Sequence, residues 1–301
     1  MRRWLALPVV TLAVLAARPV GAEDPKTYTI PAHETWKVGD VVSKKSTEKK
    51  IKKQTIKGPD GTVVKEDATE ETEAYEGTMK VLEVNAEGEF TKALVYFKSW
   101  SHAAGEKADD SLTGKHIEVN GAGAGRTAKV VTPGAEVSPE ALTWLDGEFG
   151  AASAKKEKSG DVMVPKKPVA VGEVFTIDAA ELVKGMGNEN MQFLSEQSKG
   201  TFTLKDVQGG VATIEIVLSL QADGPSTPNG KLSWKDGGRF DMHMEGTKAL
   251  DAGVHASTSH MTGGLKGELE VPGATVGFDM TLEGESVVTM GGEMPEVPAA
   301  K

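Results

Sequence analysis

Apolar and polar residues alternate along several stretches of the chain. In FDMHMEG, the side chains of Phe240, Met242 and Met244 would lie on one face of a strand, with the intervening polar residues on the other. A second stretch, VGFDMTLEG, alternates in the same way, with Phe278 and Met280 on its apolar face. Strict alternation is typical of half-buried β-strands. The pattern therefore predicts a mainly β fold.

Two short stretches carry helix signals instead. In SPEALTWLDGEF, Ser138 is a typical N-cap residue and Pro139 suits the first helical position. Leu142 and Leu145 would then face the sheet from one side of this helix. The stretch DAAELVKG, 178–185, predicts a second short helix.

Glycine-rich turns connect the predicted strands. The stretch VNGAGAGRTAKVV, 119–131, places three glycines between two strand-like runs. A phosphate-binding glycine loop needs a helix after it, because the helix-terminal amides must point at the anion. The residues that follow here are β-like, so we interpret the glycines as the tip of a hairpin. The sequence GELEVPGATVGFDM predicts another hairpin around Pro272-Gly273.

Two segments of the first half recur in the second half. VGDVV, 38–42, recurs as VGEVF, 171–175, and the segment 77–97, which begins GTMKV, recurs as 200–218, which begins GTFTL. Because their order and spacing agree, we infer the duplication of one antiparallel β unit. The predicted divisions are a signal peptide at 1–22, repeat units at 23–155 and 156–290, and a disordered tail at 291–301.

A short motif also carries a resemblance to known proteins. The stretch PKKPVAVGEVF, 165–175, introduces the second repeat and follows the glycine hairpin and the helix at Ser138. In this respect the chain resembles a group of exported bacterial proteins of unknown function whose two halves each begin with a VGD-type strand. Such proteins resemble lipoprotein-carrier folds of the LolA and LolB type. The resemblance implies two curved, half-barrel-like antiparallel sheet units with one or two short helices, and it brings no catalytic residues.

Opposite charges flank the turn GPDG, 58–61. A run rich in lysine precedes this turn and a run rich in glutamate follows it. We expect the two runs to pair as one exposed hairpin that neutralises itself, rather than to form a basic patch. A two-residue loop would place Lys53 opposite Glu66, whereas a loop with a bulge would place Lys53 opposite Asp67.

The first 22 residues predict export. MRRWLALPVVTLAVLAARPVGA has two arginines, an apolar run and a small-residue cleavage pattern, as in a secretory signal peptide, so the mature chain would begin at Glu23. The apolar run is shorter than the roughly 20 residues of a membrane span. We expect a periplasmic or extracellular protein, soluble after cleavage and without a transmembrane segment. The absence of cysteine excludes disulfides and thiol catalysis.

The charge balance argues against a nucleic-acid partner. The chain has 44 acidic and 34 basic residues and a net charge of −10, and loss of the three arginines of the signal peptide would make it about −13. An acidic surface repels a phosphate backbone, so we expect no nucleic acid to bind. The sequence leaves the oligomeric state open.

No catalytic or metal motif stands out. The chain lacks a Gly-x-Ser-x-Gly elbow and the His-Glu-x-x-His zinc pattern. Asp241, His243 and Glu245 share one polar strand face and are weak metal candidates, which we interpret as a solvated face. We therefore expect no enzyme activity, no cofactor and no metal.

Methionines concentrate in the last third of the chain. Their flexible side chains suit an apolar surface that adapts to varied ligands. We hypothesise that the strands bind a lipid or a hydrophobic peptide on one shared face of the sheet. The candidate ligand-binding residues are Leu94, Tyr96, Ile216, Leu218, Met242, Met244, Phe278 and Met280. The favoured function is a non-catalytic binding or carrier-like protein, and the alternatives are a structural or interaction protein of the cell envelope and a hydrolase with an unrecognised site.

Overall fold

The computed structural model describes residues 25–150, 162–186, 192–224, 226–227 and 230–299. The strands, numbered in chain order, are β1 (Thr27–Tyr28), β2 (Val41–Lys57), β3 (Val63–Val84), β4 (Phe90–Ala104), β5 (Lys107–Asp109), β6 (His116–Asn120), β7 (Thr127–Val130), β8 (Val169–Ala170), β9 (Val174–Ile177), β10 (Phe193–Gln208), β11 (Val211–Ala222), β12 (Ser226–Thr227), β13 (Gly230–Lys231), β14 (Trp234–Ala249), β15 (Ser257–Val271) and β16 (Ala274–Met290). The α-helices are α1 (Pro139–Phe149) and α2 (Ala179–Met186). The predictions of a mainly β fold and of two short helices are confirmed.

Twelve strands form one large antiparallel sheet. Their order is β7-β6-β4-β3-β2-β16-β15-β14-β11-β10-β9, and β5 also pairs with β4. The first long strand, β2, pairs with the last strand, β16, from Val42 opposite Met290 to Lys57 opposite Thr275. The strands of both predicted repeat units therefore belong to one continuous sheet. The boundary predicted between residues 155 and 156 lies outside the described residues and stays a prediction.

The repeated Gly-Thr segments pair in the same way in both halves. Gly77 of β3 lies opposite Phe97 of β4, and Gly200 of β10 lies opposite Leu218 of β11. On the other side of β3, Lys44 of β2 lies opposite Gly77, and on the other side of β10, Ile177 of β9 lies opposite Gly200. A Cβ on Gly77 would lie 2.8 Å from a carbonyl oxygen of β4, and one on Gly200 would lie 2.8 Å from a methyl group of Leu218. Gly77 therefore requires glycine for the close approach of a backbone neighbour, whereas the close neighbour of Gly200 is the end of a side chain.

The predicted grouping of the candidate residues in these hairpins is wrong for β4. Ile216 and Leu218 are 8% and 1% exposed and lie on the buried face of the sheet, as does Phe97. Leu94 and Tyr96 alternate with Phe97 and therefore point to the opposite face. The match of Leu94 to Ile216 assumes that the second hairpin lacks one residue. The paired residues are 20 positions apart in the first hairpin and 18 in the second, so it lacks two. A slip of one residue exchanges the two faces of a strand.

Both helices begin as their sequences predict. The Ser138 hydroxyl oxygen accepts a hydrogen bond of 2.9 Å from the Ala141 amide, and the Asp178 carboxylate accepts one of 2.9 Å from the amide two residues on. Leu145 is buried, but Leu142, expected on the same side of α1, is 49% exposed. The reason is helical geometry, because the buried side of α1 is centred between Ala141 and Leu145, and Leu142 is turned roughly 100° from Ala141.

The predicted hairpin turns are also confirmed. The glycine-rich stretch connects the paired strands β6 and β7 through a short 3₁₀ turn, Gly123–Gly125. Gly121 has a φ of +88°, and a side chain there would collide with the carbonyl group of Gly125. Strands β15 and β16 pair directly up to a two-residue turn at Pro272-Gly273.

The register of the lysine-rich strand differs from both predicted registers. Lys53 lies opposite Ala68, and not opposite Glu66 or Asp67. The loop between β2 and β3 spans 58–62, and a backbone hydrogen bond of 2.8 Å joins its two end residues. Lys57 lies opposite Val63, in the register predicted for a bulged loop, and an irregularity between Ile56 and Lys57 then shifts the strands by one further position.

Strand β2 is a central strand, and not half of an isolated ribbon. It pairs with β3 on one side and with β16 on the other, where Asp279 lies opposite Lys53. The ion pairs join Lys49 to Glu70 at 2.9 Å, Lys50 to Glu71 at 3.8 Å, Lys52 to Glu71 at 2.8 Å and Lys57 to Glu268. Acidic residues of β3 and β15 therefore pair with four of these lysines, each pair adding little stability by itself.

Residues 291–299 follow β16 without a helix or a strand. The Pro295 carbonyl oxygen lies 2.9 Å from Nε2 of the buried His116, whose ring stacks on Tyr96 at 4.8 Å between centroids. The predicted signal peptide, 1–22, lies outside the described residues. No helix in the described part of the chain is long and apolar enough to cross a membrane.

Candidate functional site

Both hydrophobic cores lie on one face of the sheet, called here the core face. Near α1, Phe97 and Trp100 are buried with Leu145 of the helix. Near α2, Leu218 is buried with Leu182 of that helix. The strand registers, followed from β4 through β3, β2, β16, β15 and β14 to β11, show that Phe97 and Leu218 lie on the same face of the sheet. Each helix therefore covers one end of a single apolar face.

Between the two ends, the core face carries apolar side chains that are only half-buried. These residues, called here the open stripe, are Met244, Met261, Leu265, Phe278, Met280 and Leu282. Gly284 of β16 lies opposite Met261. A Cβ added at Gly284 would lie 3.5 Å from the terminal methyl of Met261. Half of the stripe is methionine, so its surface can adapt to different apolar shapes.

A cavity of about 400 Å³ opens on the core face beside the open stripe. Ser259 lines it and lies two residues from Met261, on the same face of β15; Ser286 lies directly opposite Ser259 on β16. The rings of Trp36 and Phe90 line the cavity in an edge-to-face contact at 5.8 Å. The cavity and the stripe thus adjoin on one face of the sheet.

Charged and hydroxyl groups meet inside this cavity. Glu148 Oε1 accepts hydrogen bonds of 3.0 Å from Lys44 Nζ and 3.0 Å from the Tyr75 hydroxyl. Burial raises the pKa of Tyr75, and the negative charge of Glu148 raises it further, so the phenol keeps its proton as a donor. The buried Arg126 places its guanidinium 4.5 Å from the centre of the Phe90 ring. The cavity therefore combines apolar walls with two cationic groups.

Two further carboxyl groups on this side of the protein have raised pKa values. Glu34 keeps exposed surface, yet the surrounding protein removes enough water to raise its pKa, and Lys248 partly offsets this effect. Glu73 lies opposite Glu48. Loss of water raises the pKa of Glu73, and the charges of Glu48 and Glu148 raise it further, against a hydrogen bond from Trp144. Their charged forms are therefore less favourable in the folded state.

Replacement of Glu73 by glutamine is expected to stabilise the protein at pH 7. Folding raises the pKa of Glu73, so the protein becomes less stable as the pH rises through the folded-state pKa of this residue. Glutamine is neutral and carries no charge whose hydration is lost on folding. Urea unfolding should show the gain of Glu73→Gln at pH 7 and its disappearance at pH 4, where Glu73 is already protonated. An equal gain at both pH values would contradict this account.

The candidate ligand-binding residues of the sequence do not form one group. The structure places Leu94 and Tyr96 on the face opposite the core face, Ile216, Leu218 and Met242 inside the core, and Met244, Phe278 and Met280 on the open stripe. Only the last three combine the core face with half-buried surface. A role of any of the eight in ligand binding stays a proposal.

Other residues of the site were missed by sequence reasoning. Leu282 belongs to the alternating stretch VGFDMTLEG and could have been found from it. Met261 and Leu265 lie on β15, whose glycines interrupt the alternation. Lys44 and Arg126 come to the cavity from strand and turn segments far apart in the sequence, and no local pattern joins them.

The three metal candidates also separate. The Asp241 carboxylate accepts a hydrogen bond from the Ser219 hydroxyl and lies 3.3 Å from Arg239 Nε. All three lie on the face of β14 opposite the core face, but only His243 and Glu245 lie with Glu215. Asp241 is thus excluded from this histidine cluster.

Comparison with known proteins gives no family. No family model and no curated protein sequence matches the chain. The chain is similar to lipovitellin, in a structure described by its lipid–protein interactions, with 9% identity and a TM-score of 0.38 over 88% of this chain and 26% of that one. It is also similar to an outer membrane channel from Pseudomonas putida F1, with 8% identity and a TM-score of 0.18 over 86% of this chain and 98% of the channel.

The first of these matches is partial, since the chain spans about a quarter of the lipovitellin chain. Similarity at this level carries no argument about function. The resemblance to lipoprotein carriers stays a prediction, because no sequence comparison supports it. The structure itself defines the class: a mainly β protein whose single large sheet leaves part of its apolar face half-open.

Proposed function

We propose that the protein is a non-catalytic binding or carrier-like protein, exported from the cytoplasm, that holds an amphiphile with a long acyl chain. The observation that carries this proposal is that the open stripe and the cavity of about 400 Å³ adjoin on the core face. Small-molecule binding sites are usually concave and mostly apolar with a few polar groups, and the half-buried stripe adds apolar surface beside such a site.

The dimensions of this surface suit an acyl chain. From Phe278 to Ser286, β16 runs roughly 27 Å at about 3.3 Å per residue, with alternate side chains on the core face. Each buried methylene group would contribute about 0.8 kcal/mol to binding. Lys44 and Arg126 in the cavity would lie near the polar end of the ligand.

Gly284→Leu is expected to block this surface without disturbing the sheet. A Cβ at Gly284 would meet Met261 and a backbone oxygen at 3.5 and 3.6 Å, which are ordinary contacts, and the leucine would project onto the core face. Binding of a fluorescent fatty acid should weaken at least about tenfold, since the chain would lose several methylene contacts. The titration is followed by the fluorescence of the fatty acid.

The matched control is Gly277→Leu on the same strand. Gly277 lies on the opposite face of β16, and a Cβ there would meet Thr55 atoms at 3.6 and 3.7 Å. This variant should bind the fatty acid as the unmodified protein does. Equal loss in both variants, or no uptake by the unmodified protein, would contradict the proposal and favour an interaction protein of the cell envelope.

A further inference from the structure

A histidine and two glutamates meet on the face of the sheet opposite the core face. His243 Nε2 lies 3.1 Å from Glu215 Oε1 and 3.7 Å from Glu245 Oε1. One ligand atom from each of the three residues lies within 4.8 Å of the others. His243 and Glu215 are half-buried, and Glu245 is exposed, so the group is open to solvent on one side.

The pairing of two inner strands builds this group. Glu215 of β11 lies directly opposite Glu245 of β14, and His243 precedes Glu245 by two residues on the same face. Both strands have hydrogen-bonded neighbours on each side, which fixes the positions of the three Cβ atoms. The site is therefore held by the sheet and not by a loop.

The two carboxylates oppose each other across the strands. Like charges directly opposite in a sheet are destabilising. Lys205 compensates one side, with its Nζ 3.3 Å from Glu215 Oε2. A cation between Glu215 and Glu245 would remove the repulsion that remains.

We propose that Glu215, His243 and Glu245 form a binding site for a zinc ion. Zinc takes imidazole nitrogen and carboxylate oxygen as ligands at about 2.0 to 2.2 Å in a tetrahedral arrangement, which separates neighbouring ligand atoms by roughly 3.4 Å. The separations of 3.1 and 3.7 Å at His243 lie on either side of that value. Three protein ligands leave the fourth position to water.

The donor set favours zinc over the common hard cations. Calcium takes six to eight oxygen ligands and magnesium an octahedron of oxygens, whereas imidazole suits zinc and its transition-metal neighbours. His260 of β15 lies opposite Glu245, but its Nδ1 is 3.5 Å from Glu285 on the far strand, so it stays outside the ligand set. The site is independent of the open stripe, which lies on the other face of the sheet.

Calorimetric titration of the purified protein with zinc chloride tests the proposal. One zinc ion should bind per chain, and His243→Ala, Glu215→Gln and Glu245→Gln should each weaken binding at least about tenfold. Calcium and magnesium chloride should give no comparable heat. Zinc should also raise the Tm of the unmodified protein and leave that of His243→Ala unchanged, because only a ligand of the folded state stabilises it.

The matched control is His255→Ala. His255 Nε2 also lies beside a carboxylate, 2.8 Å from Asp251 Oδ1, but within the described residues it belongs to no group of three possible ligands. This variant should bind zinc as the unmodified protein does, and the far-ultraviolet circular dichroism of all four variants should show the same β fold. No saturable binding, or equal weakening by His255→Ala and His243→Ala, would overturn the proposal.

Discussion

Phe97→Ala is expected to lower the free energy of unfolding by about 3 to 5 kcal/mol, the usual cost of emptying a fully buried aromatic position. Phe97 is 0% exposed. Its ring contacts Tyr75, Trp144 and Phe149 in edge-to-face arrangements at 5.6 to 6.1 Å. Two of these partners belong to α1, so the cavity left by alanine would also loosen the helix from the sheet. Urea unfolding followed by circular dichroism measures the loss.

Leu94→Ala is the control for this substitution. Leu94 lies on the same strand but on the opposite face, where it is half-buried. Leu94→Ala should lower the free energy of unfolding clearly less than Phe97→Ala does, because folding buries less apolar surface at Leu94. Equal costs for the two variants would show that the core face has been assigned to the wrong side of β4.

Met242→Ala is expected to cost about 2 to 5 kcal/mol of stability, and Met280→Ala distinctly less. Met242 is 7% exposed and belongs to the core near α2, whereas Met280 is half-buried on the open stripe. Both residues are methionines on the same face of the sheet, so the two substitutions remove the same side chain and differ in how deeply it is buried. Thermal and urea unfolding give the two costs.

The binding of a fluorescent fatty acid gives these variants a second readout. Met280→Ala should weaken uptake with little loss of stability, while Met242→Ala should act mainly through stability. If both substitutions destabilise strongly and the unmodified protein takes up no fatty acid, then the stripe is only core. The structural or interaction role in the cell envelope would then be the better proposal.

Short sequence patterns were sufficient to predict the caps and turns, because these are stabilised by interactions between residues that are close in the sequence. The cap at Ser138 and the turn at Pro272-Gly273 depend on a few neighbouring residues, and both were predicted correctly. Alternation also placed Phe240 and Met242 together on the buried face. These interactions act within a few residues, so a short pattern contains the information that determines them.

Register and site composition depended on information that the local sequence does not contain. An irregularity next to the loop at 58–62 and the shorter second repeat hairpin each shifted a strand by one position, which changed the partners of Lys53 and the face of Tyr96. Glu215 joins His243 only because β11 pairs with β14 at that register. Such contacts follow from the assembled sheet, which the spacing of residues within one strand cannot reveal.

The pairing of β2 with β16 also has a kinetic consequence. Val42 meets Met290 at this seam, so hydrogen bonds in the middle of the sheet join segments from near opposite ends of the chain. Contacts of such high sequence separation form slowly, and an incomplete chain would expose the unpaired edge of β2. Lysines on an open edge discourage other chains from adding a strand. We therefore expect the lysine run to disfavour strand addition to β2 in a chain that lacks β16.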